Sequence, residues 1–308
     1  MQEIQRVAIV GAGAMGGMYA AHFAEAGFEV VFVASGERAA RLRDGLTVNG
    51  TPLLADVVDA ESPGDATAAD LMIFAVKDQH LNEAIREAEV IVGSQTIVLS
   101  VMNGLDSEER IAHGLACTLD RRRVLLCIAL AMDAEREGRD IRFRQAGKLV
   151  FGHPRNDEPD EVVTAVQRAL TRAQLAWETP ADMRHELWWK FMVNVGMNQT
   201  SAVLRAPYGA LQPDGDPRSL MSALIDEVVL VAAAEGVPMT EADVERWHRV
   251  LANQPAEGWT SMAQDVLAGR PTEVETFAGR MVALGEKHGI PVPYNQAMLW
   301  ILRSTTPH

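Results

Sequence analysis

The chain has 308 residues, 48% hydrophobic and 23% charged, which is typical of a globular protein with two domains. Its formal net charge of −14 argues against a nucleic-acid-binding surface, because such a surface needs clustered positive charge. The two cysteines, Cys117 and Cys127, have neither metal-ligand spacing nor the density of a secreted disulfide scaffold. The N-terminus shows no leader-like order of residues and no apolar run is long enough to span a membrane, so we expect a cytoplasmic protein.

Strand-like runs alternate with helical or loop-like segments in the first half, which predicts a Rossmann-like, doubly wound α/β sheet. Helical periodicity at residues 18–26 directly follows the first of these runs. The predicted strands are Arg6–Val10, Glu29–Ala34, Leu71–Val76, Thr96–Val101, Val124–Leu130 and Leu175–Glu178. We therefore expect a first domain over residues 1–178.

The pattern changes after Gly152, where few strand-like runs occur and the chain reads as predominantly α-helical. The predicted helices are Glu161–Gln174, His185–Leu204, Arg218–Glu235, Glu241–Asn253 and Thr272–His288. Because the last plausible strand of the first half ends just before Thr179-Pro180, we expect a second, all-α domain over residues 179–308.

A glycine-rich turn comes directly after the first predicted strand, with the spacing Gly-x-Gly-x-x-Gly. Gly11 permits the tight turn, Gly13 lets the backbone approach a pyrophosphate, and Gly16 lets helix and strand pack closely. The N-terminus of the following helix then faces the phosphates. We expect a dinucleotide to be bound by the whole turn, which consists of Gly11, Ala12, Gly13, Ala14, Met15 and Gly16.

The end of the second predicted strand indicates which dinucleotide is bound. An NAD site usually carries Asp or Glu there, but this chain has Ser35. Ser35 can hydrogen-bond a 2′-phosphate and Arg38 can pair with it, as can Arg41 or Arg43, which favours NADP(H). Glu37 argues for NAD(H), and the arginines are equally compatible with a solvated helix face.

Two polar residues stand just past predicted strands. Lys77 follows Leu71–Val76, and Asn103 follows Thr96–Val101. Ligands of open α/β sheets bind beyond the carboxyl ends of the strands, so both are candidates to meet the nicotinamide ribose or the substrate. A turn explains an Asn-Gly pair equally well, and for Asn103 the two interpretations stay open.

A polar stripe is predicted on the long helix of the second half, where Lys190, Asn194 and Asn198 recur every four residues among apolar neighbours. Only four of the 28 basic residues are lysines. A partly desolvated lysine can give up a proton near neutral pH and an arginine cannot, so Lys190 is a candidate general acid. The alternative is a lysine whose stem lies on Trp189 with its charge in water.

Two further segments permit a structural and a functional interpretation. Ser261 with Gln264, and Thr272 with Glu275, match capping boxes at helix starts, and Glu273 would sit in a first helical turn. Capping alone would explain these residues, so the pattern leaves the roles of Ser261 and Glu273 open.

Taken together, these motifs resemble the ketopantoate reductases, also called 2-dehydropantoate 2-reductases, nearly from end to end. The resemblance rests on the glycine turn, Lys77, Asn103-Gly104, Lys190 with Asn194 and Asn198, Thr260 to Asp265, Arg270 to Glu273, and His288 to Pro293. It implies that Lys190 is the general acid and Glu273 a supporting catalytic acid. It implies that Asn103, Asn194, Asn198 and Ser261 bind substrate, and that Lys77 is the cleft lysine.

The same resemblance implies that NADPH reduces 2-dehydropantoate to (R)-pantoate, on the route to pantothenate and coenzyme A. The chain departs from the family at Ser35, where an arginine is common, at Gln199, where a proline is common, and around Phe277. Because the family also reduces other branched or aromatic 2-oxo acids, the departures leave the substrate open. A β-hydroxyacid dehydrogenase, a mandelate-type dehydrogenase and a non-catalytic NADPH-binding sensor are the alternatives.

No metal site is expected, since His185, His248 and His288 lack partners at metal-ligand spacing. Trp247 and Trp300 are compatible with the surface of a homodimer, and burial in a core explains them equally well.

Overall fold

The computed structural model describes residues 3–53 and 55–305. The chain divides into two compact units, the first ending at Arg184 and the second beginning at His185. The first is an α/β unit built on a mainly parallel sheet and the second is helical, which confirms the predicted fold class.

The described residues of the first unit form twelve strands and five α-helices. The strands are β1 (Arg6–Val10), β2 (Glu29–Ala34), β3 (Leu46–Val48), β4 (Thr51–Leu53), β5 (Asp56–Asp59), β6 (Leu71–Phe74), β7 (Ile97–Ser100), β8 (Val124–Leu130), β9 (Glu135–Glu137), β10 (Asp140–Arg142), β11 (Lys148–Gly152) and β12 (Ala176–Glu178). The helices are α1 (Ala14–Glu25), α2 (Gly36–Arg43), α3 (Leu81–Ala88), α4 (Ser107–Gly114) and α5 (Glu161–Arg172).

The main sheet has the order β12-β11-β8-β7-β6-β1-β2-β5. In this sheet order, the six strands from β8 through β7, β6, β1 and β2 to β5 run parallel to one another. Strand β11 pairs antiparallel with β8. In β1, Val7 and Ile9 belong to one apolar cluster and Ala8 and Val10 to another, so the sheet is buried on both faces. Because β2, β1, β6 and β7 run parallel, their carboxyl ends lie along the same edge of the sheet. The strand order reverses at β1, since β2 pairs with β1 on one side and β6 pairs with it on the other.

A second, smaller sheet with the order β4-β3-β10-β9 lies beside α1. A Cβ atom at Gly17 would lie 2.0 Å from Cδ1 of Ile141, so this glycine lets β10 pack closely on α1. The sequence did not predict this sheet or β5, because their strands are only three or four residues long and most carry charged side chains.

The second unit is built from α-helices that pack around Phe191, Trp247 and Phe277. Its helices are α6 (Met183–Val193), α7 (Gln199–Leu204), α8 (Tyr208–Leu211), α9 (Asp216–Ala234), α10 (Glu241–Ala252), α11 (Ser261–Leu267), α12 (Arg280–His288) and α13 (Pro293–Thr305). Trp247 is fully buried, whereas Trp300 is 63% exposed, so of the two only Trp300 remains a surface candidate. Over the described ranges, no helix is both long and apolar enough to cross a bilayer.

Two π-helical turns interrupt the helices of this unit, at Asn194–Asn198 and at Glu275–Gly279. The predicted helix His185–Leu204 is thus split into α6, a π turn and α7. The predicted helix Thr272–His288 instead starts at residue 274 and passes through the second π turn into α12. Such turns are rare in proteins, and those that do occur are often found at functional sites.

Candidate functional site

The glycine turn of the first unit has the geometry that its spacing predicts. Gly11 has a φ of +106°, and a Cβ there would lie 2.7 Å from the Ala75 carbonyl oxygen. At Gly16 a Cβ would lie 1.8 Å from the Gly11 carbonyl oxygen. These two glycines are required by the packing of the protein itself.

Gly13 differs from them, because a Cβ at this position would meet only the Ala75 carbonyl oxygen among the described residues, at 3.9 Å. The turn therefore holds open space beside Gly13, where a side chain would fill the approach to the backbone. Helix α1 starts at Ala14 with Gly13 as its N-cap, so its first N–H groups receive no side-chain cap. Space and uncapped N–H groups together fit the pyrophosphate of a dinucleotide.

Lys77 and Asn103 follow neighbouring strands of the sheet, three residues beyond β6 and β7 respectively. Lys77 is exposed and begins a short 3₁₀ turn, whereas Asn103 is half-buried. The left-handed backbone of the Asn-Gly turn falls on Gly104, with a φ of +108°, and not on Asn103. The turn thus accounts for the glycine and leaves the asparagine open to a binding role.

At the end of β2, Ser35 has an extended backbone and precedes α2. Across the described residues its hydroxyl makes no capping hydrogen bond to that helix. Arg38 instead lies against α3, where its guanidinium donates to Glu87 and, at 2.8 Å, to Glu83. Asp59, at the end of β5, accepts a hydrogen bond from the Gly36 N–H at 3.2 Å. The structure therefore places an acidic residue beside Ser35 that the sequence order did not reveal.

Lys190 lies on α6 in the second unit and is only partly exposed. Burial of its ammonium group lowers the pKa of Lys190 to about 8, and the nearby Glu273 carboxylate offsets part of that decrease. The structure therefore brings together Lys190 and Glu273, which are far apart in the chain. A lysine with this pKa is protonated at neutral pH and can give up its proton.

The alternative for Lys190 places its stem on the indole of Trp189, and this indole has partners of its own. The Arg246 guanidinium covers this indole, with its Cζ 3.6 Å from the ring centroid. The Trp189 Nε1–H donates to the Asp243 carbonyl oxygen at 3.2 Å. Arg246 is fixed in turn by Glu186, whose two carboxylate oxygens both lie at 2.9 Å. The partners of Trp189 are therefore an arginine and a backbone group of α10.

The two asparagines of the predicted stripe begin and end the first π turn, and both are buried. In a regular α-helix, residues four apart drift by about 40° around the axis. A π turn holds more residues per turn, so it rotates less per residue and cancels part of that drift. Asn198 therefore lies nearer to the helix face that carries Lys190 and Asn194 than it would in a continuous α-helix.

The expected capping box at Ser261 is wrong, because the N-cap of α11 is Thr260. The Thr260 hydroxyl accepts from the Ala263 N–H at 3.2 Å. Ser261 is the first helical residue and is exposed, so capping does not explain its presence.

The expected box at Thr272 is also wrong. The Thr272 hydroxyl is buried, with no hydrogen-bond partner within the described ranges. Glu275 is held instead by Arg303 on α13, at 2.6 and 2.8 Å. Glu273 lies just before the helix and not in its first turn. With both caps removed as explanations, Ser261 and Glu273 stand as candidates for function.

Sequence reasoning missed one cation at the glycine turn. Arg136, on β9, donates through its guanidinium to the Ala12 carbonyl oxygen and, at 2.8 Å, to that of Gly138. Burial lowers the pKa of Arg136 below its ordinary value. Its only sequence signal was a basic residue among acidic neighbours, which points to no particular contact.

Comparison with known proteins agrees with this arrangement. Residues 7–156 match the family model described as ketopantoate reductase PanE/ApbA, and residues 182–305 match its C-terminal counterpart. A 2-dehydropantoate 2-reductase from Archaeoglobus fulgidus is 29% identical over 310 residues, covering 98% of both chains. The crystal structure of a PanE/ApbA family ketopantoate reductase from Ralstonia eutropha JMP134 is 27% identical, with a TM-score of 0.81 over 97% of this chain and 98% of that one.

A D-mandelate dehydrogenase solved with NADH and anilino(oxo)acetate shares the fold, at 20% identity and a TM-score of 0.82 over 97% of this chain and 98% of that one. An α/β unit whose glycine turn fits a dinucleotide, followed by a helical unit, agrees with the class of nicotinamide-dependent oxidoreductases to which the matched proteins belong. Within this class, the chain belongs to the ketopantoate reductase family.

Proposed function

We propose that this protein reduces a 2-oxo acid to the 2-hydroxy acid, with 2-dehydropantoate as substrate and (R)-pantoate as product, in the synthesis of pantothenate and coenzyme A. The observation that carries the proposal is the burial of Lys190 near Glu273: burial lowers the pKa of Lys190 to about 8, and the Glu273 carboxylate offsets part of the decrease. Such a group is a proton donor matched to the alkoxide that forms when a carbonyl carbon receives hydride. The identity of the family supports the choice of substrate.

When bound, the reduced nicotinamide supplies hydride to the keto carbon. The proposed role of the glycine turn is to hold the pyrophosphate, with Lys77 and Asn103 beside it at the ends of β6 and β7. Lys190 holds the transferable proton on Nζ and delivers it to the carbonyl oxygen as negative charge develops there. Asn194, Asn198 and Ser261 bind and orient the substrate, and Glu273 keeps Lys190 protonated by its negative charge.

The cofactor that the sequence predicted is NADPH, through Ser35 and Arg38. Either nicotinamide dinucleotide suffices for the chemistry proposed here, because hydride transfer takes place far from the adenosine 2′ position.

The experiment that tests the proposal is a set of initial rates, followed by the loss of reduced-nicotinamide absorbance, with NADH and NADPH each supplied. The substrates are 2-dehydropantoate, an unsubstituted branched 2-oxo acid and an aromatic one such as phenylglyoxylate. We expect the highest kcat/KM with 2-dehydropantoate. A higher value with another acid would transfer the assignment to that acid, and dinucleotide binding without turnover of any acid would indicate a sensor.

We further propose a homodimer acting in the cytoplasm. Large apolar side chains stand exposed on α9 and α13, namely Leu230 at 57%, Trp300 at 63% and Ile301 at 43%. Light scattering should give twice the mass of one chain for the wild type and a shift toward one chain for Trp300→Glu. A wild type with the mass of a single chain would refute the homodimer.

A further inference from the structure

The charged groups around the end of β2 bear on the choice between the two nicotinamide dinucleotides. This is the region that meets the adenosine ribose in folds of this kind, where an acidic group accepts from a 2′-hydroxyl and a basic group pairs with a 2′-phosphate. The three arginines of α2, residues 38, 41 and 43, are the sequence candidates for such a phosphate. Each of them has a carboxylate partner in the structure.

Arg38 is the most firmly held of the three. It pairs with Glu83 and with Glu87 on α3, and the Glu87 side chain is only 8% exposed. A guanidinium that turned toward a 2′-phosphate would leave Glu87 buried without its partner, which is strongly unfavourable. Arg38 is therefore committed to its ion pairs with the two glutamates of α3.

Arg43 is held in a similar way, 3.5 Å from Asp59, whose side chain is 14% exposed. Only Arg41 has a partner that water can replace, since its contact with Glu37 at 3.4 Å lies between two exposed side chains. Arg41 lies in the second turn of α2, away from the end of β2.

The groups nearest to Ser35 and Gly36 are acidic. Asp59 accepts from the N–H groups of Gly36 and Glu61, both at 3.2 Å. A Cβ built at Gly36 would lie 3.4 and 3.5 Å from the two carboxylate oxygens of Glu61. A phosphate placed here would meet the Glu61 carboxylate and an Asp59 carboxylate already paired with Arg43, with no uncommitted guanidinium among the arginines of α2, whereas a ribose hydroxyl would meet hydrogen-bond acceptors.

We propose that this protein binds NADH in preference to NADPH, because Asp59 and Glu61 from the neighbouring strand β5 and its following turn supply the acidic group that the end of β2 itself lacks. The inference reverses the expectation based on Ser35 and Arg38. It rests on the proposed function only in requiring that a dinucleotide bind at the glycine turn, and it is independent of the 2-oxo acid.

The test is calorimetric titration of the full-length protein with NADH and with NADPH in the absence of substrate. We expect NADH to bind at least about tenfold more tightly, from the repulsion of a 2′-phosphate by nearby carboxylates. Glu61→Gln should tighten NADPH binding severalfold and weaken NADH binding, because it removes a negative charge near the 2′-phosphate and a charged acceptor near the 2′-hydroxyl. Glu158→Gln, which removes the same charge from an exposed position on the loop before α5, is the matched control and should change neither affinity.

Equal or tighter binding of NADPH by the wild type would overturn the proposal, and so would an affinity ratio unchanged by Glu61→Gln. If NADPH binds more tightly and 2-oxo acids are still reduced, this inference alone fails. If neither dinucleotide binds to the folded protein, the proposed function fails with it. Ser35→Arg introduces the cation that is common at this position in the family. It should tighten NADPH binding both in the wild type and in Glu61→Gln, and such tightening would show that the site remains intact.

Discussion

Gln199 donates its side-chain amide to the carbonyl oxygen of Val195 at 3.0 Å, within the segment that carries Asn194 and Asn198. The second hydrogen of the same amide goes to Oδ1 of Asn295 at 3.0 Å. Asn295 is fixed in turn by Glu227, which accepts from its side-chain amide at 2.8 Å and from its backbone N–H at 2.9 Å. A position at which the family commonly has proline thus holds the π turn in place by a buried polar network.

Replacing Gln199 by leucine should destabilise the second unit. The variant removes the side-chain donor to the Val195 carbonyl and to Asn295 Oδ1 in a fully buried place, which costs about 1–3 kcal/mol. Urea denaturation measures the free energy of unfolding. Gln264→Leu makes the same change at an exposed position of α11 and should stay within about 0.5 kcal/mol of the wild type. Equal effects of the two substitutions would contradict the role given to Gln199.

Gly13→Ala should separate dinucleotide binding from folding. The protein leaves room for a Cβ at Gly13, so the free energy of unfolding should fall by no more than about 0.5 kcal/mol. The same Cβ would crowd the pyrophosphate, and we expect dinucleotide affinity to fall about tenfold to a hundredfold. Gly16→Ala is the contrast, because its Cβ would clash with the backbone of Gly11, and this variant should be strongly destabilised. Calorimetric titration beside thermal unfolding gives both quantities.

The rate of reduction should fall as the pH rises through about 8, since Lys190 must carry the proton that it donates. In the reverse direction Lys190 must accept a proton, so oxidation of the 2-hydroxy acid should rise over the same range. Lys190→Arg should lower kcat/KM by about 10²–10⁴-fold, because arginine does not release its proton. Dinucleotide affinity, measured by titration, should stay unchanged, and normal turnover by this variant would refute the role of Lys190 as proton donor.

Glu273→Gln should move the fall in the rate of reduction to lower pH. The carboxylate raises the pKa of Lys190 against the effect of burial, and removing its charge leaves burial unopposed. The pH dependence of kcat/KM for reduction measures the shift. Glu275→Gln is a suitable control, because Glu275 pairs with Arg303, whereas Glu273 is the carboxylate that acts on the pKa of Lys190. A limb that stays in place in Glu273→Gln would show that Lys190 does not depend on this carboxylate.

Glu108 should make the protein less stable as the pH rises. Burial raises the pKa of Glu108 to about 7 from its ordinary 4.5, although hydrogen bonds from Ser107 and from the Cys127 N–H lower it. The folded state then binds more protons than the unfolded state between these values, so the free energy of unfolding falls from pH 4.5 to about 7. The contribution is about 3 kcal/mol at most. Glu108→Gln should remove this part of the pH dependence of urea denaturation, and parallel curves for the two proteins would contradict it.

The ends of the main strands could be predicted from sequence because their apolar runs are long and are bounded by Gly, Lys or Asn. For this reason Gly11, Lys77 and Asn103 come after three neighbouring strands, β1, β6 and β7, although β6 and β7 end two residues and one residue earlier than predicted. The identity of the residues beside Ser35 could not be predicted in this way. Asp59 reaches it only through the pairing of β5 with β2, and a four-residue strand of sequence Asp-Val-Val-Asp has no distinctive period.

The wrong predictions in the second unit occur where a local sequence pattern fits more than one structure. A π turn has no hydrophobic period of its own over five residues, so the segment from residue 194 to 198 looks like a continuous helix. Thr260 and Ser261 are both good N-cap residues, and only the observed hydrogen bond to Ala263 decides between them. Glu275 matched a capping box, but a bidentate pair with Arg303 holds it instead, and that partner is 28 residues away.

The partial desolvation of the Lys190 amine has a consequence for chemical modification. Near pH 8 about half of these amines are uncharged and therefore nucleophilic, whereas the Lys148 and Lys287 amines form ion pairs with Glu178 and Glu235, at 2.5 and 2.6 Å. A limiting amount of an acylating reagent should thus react at residue 190 before it reacts at those two. Arginines do not compete for such a reagent, so in a chain with four lysines the competing lysine amines are few, and the exposed Lys77 is one of them.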